Sequence, residues 1–387
     1  MKRVFYTFIA LCTTVAAQYT PTPITQDTPA PDFKLVGVDD KTYSLADVKG
    51  DKATAIIFTT NHCPDAIASI GRMKTLVEQF KSKGVGFAAI NSNSPKGLHL
   101  AELGYSTVDD SFDSMKILAE EKQFNLPYLY DGDTQEIAKA YGAISTPHIF
   151  IFGPNLKLKY NGRIDDGRRK LGLAKKNEAR DALTAILAGE EPAVIKTKPT
   201  GCTTKWIEKA GNVARINENW NNKPVTVDTI KAEAVSKLLE NKDGSEFRLI
   251  NVWGTTCGPC VLELPEFANI YRQFSLHKFE FITISLDDPE NARDTERVLD
   301  ILRSNHFGVH NRIQKILEKE GRTTNNYIFS GDTEDLAKAL DPEWTGALPY
   351  TLLVGENGKV LYRQNGTIDP EALRKVIVTE VWRLNEE

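Results

Sequence analysis

The chain has 387 residues, 41% hydrophobic and 26% charged, with a formal net charge of −4 and an isoelectric point near 6.0. That length is generous for one core and favours two domains, each with enough apolar residues to bury. A mildly acidic balance leaves no basic footprint, so no nucleic acid is expected as a partner.

In chain order, Lys2 and Arg3 precede an apolar run over residues 4–11, which ends in the small residues Val15-Ala16-Ala17. Charged, apolar and small segments in this order predict a secretory signal peptide over residues 1–17, with Gln18 first in the mature chain. The run is too short to span a bilayer as a helix. Export to the periplasm or the extracellular space is expected, with no stable membrane span after signal removal. Lipidation at Cys12 is disfavoured, because Leu11 stands where a small residue belongs. Four cysteines then remain, Cys63, Cys202, Cys257 and Cys260, in a compartment where disulfides persist.

After a polar lead-in over residues 19–31, residues 53–60 read as a buried strand that stops before Asn61-His62-Cys63-Pro64. Residues 67–83 carry apolar positions at helical spacing, and 85–90 form another apolar strand. Further on, 137–141 reads as helix and Ser145-Thr146-Pro147 breaks the chain. Two strands, 149–152 and 156–160, flank Gly153-Pro154-Asn155 as a hairpin. Residues 190–225, with several Pro, Lys, Asn and Gly, form the natural connector. The second half then repeats the order: strand 248–254, a cysteine, helix 262–274, strand 279–286, a proline at Pro349, a hairpin of 351–354 and 360–363, and a final helix over 370–384. Matching on cysteine, proline and hairpin predicts an internal duplication of architecture, although residue identity between the halves is low.

The second half carries Cys257-Gly258-Pro259-Cys260 directly after its first strand. A helix starting near Pro259 would aim unpaired N–H groups and a positive dipole end at Cys257, favouring the thiolate. Cys257 is thus the expected nucleophile, and Cys260, one turn inward, is placed to resolve a mixed disulfide. Pro259 suits a first helical turn, where its missing N–H costs nothing. A zinc site would need four ligands. His277, His306 and His310 lack ligand spacing relative to the cysteines, so no metal is expected. A static structural disulfide is the remaining alternative.

Asn251-Val252-Trp253, Cys257-Gly258-Pro259-Cys260 and Glu263-Leu264-Pro265 together resemble the TlpA and ResA-type thiol-disulfide oxidoreductases of the thioredoxin superfamily. The resemblance covers residues 226–387. It implies a thioredoxin fold, with Pro349 as a cis-proline facing the dithiol, and Trp253, Gly258, Pro259 and Pro349 shaping a substrate groove. Asn251 stands where thioredoxin has a buried proton-accepting Asp, and Asn cannot take a proton. Glu263, one turn beyond Cys260 and matching a Glu of the TlpA-like motif, is the expected base for Cys260.

The first half resembles redoxin (AhpC/TSA-like) domains in Asn61-His62-Cys63-Pro64, Pro127-Tyr128-Leu129-Tyr130-Asp131, Ala140-Tyr141-Gly142-Ala143, Thr146-Pro147-His148 and Gly162-Arg163-Ile164-Asp165-Asp166. Relatives often carry further cysteines at the positions of Thr60 and Ser145, so no local dithiol is expected here. Thr60 fits the threonine before a peroxidatic cysteine, but no arginine lies between Arg72 and Arg163 to stabilise thiolate and peroxide. Three readings of Cys63 stay open: peroxidase chemistry, contact with Cys202 of an apparent C-terminal extension, or a vestigial or docking thiol. Contact with Cys202 is preferred. His62 could lower the Cys63 pKa or belong to a metal site, or be an ordinary loop residue.

The expected architecture is therefore α/β, two tandem thioredoxin-like folds, each a central mixed sheet flanked by helices. The expected boundaries are 18–208 for the first domain, 209–225 for a linker and 226–387 for the second domain. The expected activity is thiol-disulfide exchange, in the reductase direction, with no metal or organic cofactor. Expected partners are disulfide-bonded or thiol proteins and a membrane or exported electron donor. A thiol peroxidase using Cys63, and a binding or scaffold protein with structural disulfides, are the alternatives.

Overall fold

Ala53–Thr59 and Phe247–Trp253 are buried along their whole length, and each is the strand before a cysteine and a helix. In the computed structural model, residues 21–169, 174–242 and 245–386 are described. The expected signal segment 1–17 lies outside them.

The first sheet comprises β1 (Lys34–Gly37), β2 (Thr42–Ser44), β3 (Ala53–Thr59), β4 (Val85–Asn91), β5 (Tyr128–Tyr130), β7 (His148–Phe152) and β8 (Leu158–Gly162), ordered β2-β1-β5-β4-β3-β7-β8. A short β6 (Ser145–Thr146) pairs instead with β9 (Cys202–Thr203). The helices of this half are α1 (Leu45–Val48), α2 (Pro64–Phe80), α3 (Phe112–Glu121), α4 (Glu136–Tyr141) and α5 (Glu178–Ala188). The connector holds α6 (Ala210–Asn221).

The second sheet comprises β10 (Asp228–Ile230), β11 (Phe247–Trp253), β12 (Phe279–Ser285), β13 (Asn326–Phe329), β14 (Tyr350–Val354) and β15 (Val360–Asn365), ordered β10-β13-β12-β11-β14-β15. Its helices are α7 (Ala232–Glu240), α8 (Gly258–Gln273), α9 (Ala292–Ser304), α10 (Asn311–Glu320), α11 (Thr333–Leu340) and α12 (Pro370–Glu386).

The duplication is visible in the pairing. β3 has a parallel neighbour, β4, on one side and an antiparallel one, β7, on the other; β11 has β12 and β14 in the same senses. Helices cover both faces of each sheet, which is why the central strands are apolar at every position instead of alternating. On β3, Ala55 and Ile57 join the core of Met73 and Val77, while Ile56 and Phe58 join that of Phe150 and Trp206. On β11, Leu249 and Trp253 pack with Leu264 and Phe267, while Ile250 and Val252 pack with Leu336 and Trp344.

Two helices begin earlier than periodicity suggests. Helix α2 starts at Pro64, putting Cys63 at its N-cap, and α8 starts at Gly258, putting Cys257 at its N-cap. In both, proline occupies the first turn, where a fixed φ and an absent N–H suit the helix. The connector is also more ordered than its composition suggests. Trp220 of α6 is buried, and its ring lies 5.1 Å from that of Tyr271 on α8.

The halves are joined through the last turn of α8. Gln273 Nε2 donates to the carbonyls of Leu103 (3.2 Å) and Ser106 (2.9 Å), and its Oε1 accepts from Arg374. Tyr105 lies between His277 and Trp382, and Trp382 Nε1 donates to the Tyr105 carbonyl at 3.1 Å. Among the described residues, no helix is long and apolar enough to cross a membrane.

Candidate functional site: two cysteine centres

Strand β11 delivers Cys257 to the start of α8, where Cys257 and Cys260 form a disulfide with Cα atoms 5.3 Å apart. Cys257 is partly exposed and Cys260 is buried, so a partner can reach only the first sulfur. The loop before it is tied down by Asp287. Its carboxylate accepts the Thr255 N–H at 2.9 Å and the Thr255 hydroxyl at 2.5 Å. The helix N-terminus at Cys257 favours negative charge on that sulfur once the disulfide opens.

Glu263 lies one turn beyond Cys260 and is buried. Burial pushes its carboxyl pKa up, opposed by hydrogen bonds from the Ile368 N–H (3.0 Å) and Asn251 Nδ2 (3.3 Å). Asn251 thus serves the carboxylate as a donor, and also reaches the Thr351 hydroxyl at 3.2 Å. A carboxyl poised above its ordinary range, next to a thiol that must lose a proton, has the properties of a general base.

Leu348-Pro349 is a cis peptide, as is Thr146-Pro147 in the other half. Pro349 is buried and immediately precedes Tyr350, which pairs with Val252 near the end of β11. Trp253 takes a different place from the one expected. It is fully buried in the core with Cys260, Leu264 and Phe267, so it supports the motif from beneath and offers no surface to a substrate. Gly258 and Pro259 are exposed beside the disulfide, and Leu262, 82% exposed, adds an apolar side chain that its place in a helical pattern did not single out.

In the first half, Cys63 is buried at the α2 N-cap. Its Sγ accepts the backbone N–H of Cys202 at 3.2 Å, and as a thiol it donates to the Thr146 carbonyl at 3.2 Å. Both sulfurs are free thiols. The structure therefore brings Cys63, Cys202 and Pro147 together without a covalent link. Burial raises the Cys63 pKa, but hydrogen bonding from Cys202 and the charge of His62 outweigh it and hold the thiol down at about 6. The pKa of Cys202 is driven up, first by its hydrogen bond to Cys63 and then by burial.

Behind Cys63 lies a buried polar network that sequence reasoning did not assemble. Asp110 accepts from the Thr60 hydroxyl (2.6 Å), the Asn61 N–H (2.7 Å) and Asn93 Nδ2 (2.9 Å), and it pairs with His62. Thr60 is therefore a structural partner of Asp110. An arginine does come near, from after β8. Arg169 pairs with Asp65 at 3.3 Å, lies over the Tyr105 ring and also interacts electrostatically with Cys202. Among the described residues, no cluster of three or more His, Cys, Asp or Glu side chains could hold a metal ion.

Comparison with known proteins matches the AhpC/TSA family to residues 27–161 and the Redoxin family to residues 228–377. Curated relatives include thiol-disulfide oxidoreductases ResA. That of Geobacillus thermodenitrificans is 24% identical over 159 residues, covering 39% of this chain and 77% of the relative. That of Bacillus subtilis is 26% identical over 146 residues, covering 35% and 68%. Among solved structures, an uncharacterized conserved protein from Geobacillus kaustophilus is 41% identical, covering 47% of this chain and 92% of its own, with a TM-score of 0.42.

Proposed function

Because the chain belongs to the thioredoxin superfamily, as two such domains in tandem related to thiol-disulfide oxidoreductases, we propose that it is an exported reductase of protein disulfides working through Cys257 and Cys260. The carrying observation is one partly exposed and one buried cysteine at the start of α8, with a buried carboxyl one turn on.

The cycle begins when a thiol donor reduces the Cys257–Cys260 disulfide. The Cys257 thiolate then attacks a substrate disulfide, forming one S–S bond and expelling one substrate thiolate. Glu263 takes the proton of Cys260, whose sulfur attacks Cys257 and releases the second substrate thiolate. Two electrons pass from the dithiol to the substrate, and the Cys257–Cys260 disulfide returns. Gly258, Pro259 and Leu262 line the approach, Pro349 borders it, and Trp253 supports it from within. The leader-like residues at the N-terminus support a location in the periplasm or outside the cell.

Insulin reduction with dithiothreitol as donor tests this. Cys257→Ser should abolish it, and Cys260→Ser should trap a mixed disulfide with substrate. Unchanged reduction by Cys257→Ser would overturn the reading.

A further inference from the structure

Cys63 and Cys202 meet across 139 residues of sequence, the Cys202 N–H on the Cys63 sulfur, because the chain after α5 is clasped back onto the first domain. Strand β9 pairs with β6 so that Cys202 lies opposite Thr146. Gly201, at φ 129, makes that approach possible, since a Cβ there would sit 2.0 Å from the Thr146 carbonyl oxygen. Next along the chain, the Lys205 N–H donates to Asn93 (2.8 Å), and Gln135 holds both the Lys205 carbonyl (2.9 Å) and the Ile207 N–H (2.7 Å). Cys202 is thus held in place on both sides, only partly exposed, over a fully buried Cys63.

The Cys257 end of α8 is remote from the contact that joins the two halves. Helix α8 has 16 residues, and its last, Gln273, is the one bonded to the first domain. At 1.5 Å per residue the helix carries Cys257 about 24 Å away from that contact.

We propose that Cys63 and Cys202 are a second redox centre, which exchanges with a low-molecular-weight organic disulfide, Cys202 being the sulfur the disulfide meets and Cys63 the one that closes the bond. The confined, only partly exposed position of Cys202 favours a small disulfide over a folded protein. As Cys202 attacks, its proton passes to the Cys63 thiolate, a new Cys202–S–S–R bond forms and one RS⁻ leaves. Cys63 then gives up that proton to the departed RS⁻, attacks Cys202 and expels the second RS⁻. The sum is Cys63–S⁻ plus Cys202–SH plus RSSR giving the Cys63–Cys202 disulfide, RSH and RS⁻, with two electrons moved to RSSR. This centre does not rest on the Cys257–Cys260 reading, and either can fail alone.

The test uses the full chain carrying Cys257→Ser and Cys260→Ser, equilibrated in glutathione and glutathione disulfide at varied ratio and mapped by mass spectrometry. A Cys63–Cys202 link should form and reopen reversibly as the ratio changes, with the fold intact by circular dichroism. Adding Cys63→Ser should leave a glutathione adduct on Cys202, and adding Cys202→Ser should lose the adduct. No link at any ratio, a link that opens only in denaturant, or an adduct that forms first on Cys63 would each overturn the proposal.

Discussion

His62 Nδ1 lies 2.5 Å from Asp110 Oδ2, and both side chains are buried beneath Cys63. Burial alone would lower the His62 pKa and raise that of Asp110, but their mutual attraction dominates: His62 is shifted up and Asp110 far down. The signs define a window. A raised histidine contributes stability that is complete below its unfolded pKa of about 6.5 and is lost as pH rises through the folded value. A depressed carboxylate contributes stability that is complete above about 3.9 and is lost as pH falls through its folded value. The pair therefore stabilises most between roughly pH 4 and 6.5.

Asp110→Asn should accordingly destabilise the first domain by about 3–5 kcal/mol at pH 5, the usual range for breaking a buried pair. The difference should narrow toward alkaline pH, as His62 gives up its charge above its raised pKa, with pH 9 as the second point of measurement. Urea unfolding of the native chain and the variant at the two pH values measures this. An equal loss at both would mean that Asp110 acts through its hydrogen bonds to Thr60, Asn61 and Asn93 alone.

How much of this was legible in the sequence follows from the kind of force involved. The central strands were readable because burial on both faces demands apolar residues at every position, as in 53–59 and 247–253. The dithiol was readable because its residues are neighbours in the chain. The Asp110 network was not, since its members His62, Asn93 and Asp110 are scattered and individually look like loop residues. Arg169 escaped for the same reason, lying outside the interval where an arginine was sought. Trp253 was misplaced because its neighbours along the chain are functional, while burial depends on what packs against it in space. Gln273, which joins the two halves, carries no pattern of its own, and only the fold sets it against Leu103 and Ser106.

Glu263 yields a mechanistic prediction. Its pKa is raised, so the basic carboxylate form fills at a higher pH than for an ordinary glutamate. In the reductase cycle, the rate at which Cys260 resolves the mixed disulfide should rise with pH through that value. Glu263→Gln should remove this rise and slow resolution on the order of 100-fold, within the usual span of general base catalysis. The first attack, by Cys257, should proceed at its native rate. Stopped-flow measurement of mixed-disulfide formation and decay separates the steps, and equal slowing of both would assign Glu263 to the structure of α8 instead.

At the opposite end of β11 from the dithiol, Arg248 and Glu280 face one another across adjacent strands with their side chains buried. Glu280 accepts from Arg248 Nε at 2.8 Å and from Arg322 Nη2 at 2.6 Å, with Ser245 as a further donor. Burial works to raise the Glu280 pKa, and the two guanidinium groups overcome it and hold the carboxyl down. Because the folded value is depressed, the stabilisation is complete above the ordinary glutamate value of about 4.3 and is lost as pH falls. Glu280→Gln keeps the volume but takes the fully buried anion from a network in which Glu320 also pairs with both Arg248 and Arg322, so a loss of about 3 kcal/mol, the lower end for a broken buried pair, is expected at pH 7. Lowering the pH below about 4.3 should reduce the gap, as the unfolded carboxyl takes up a proton that the folded one, held down by the guanidinium groups, does not. Replacing the network together, with Arg248→Met, Glu280→Leu, Arg322→Met and Glu320→Gln, removes the charges and their desolvation cost at once. That variant should recover most of the stability lost in Glu280→Gln, as read from denaturant midpoints. If the combined variant is no more stable than Glu280→Gln, the network stabilises this end of the sheet through its hydrogen bonds to Leu238 and Ser245, not through charge.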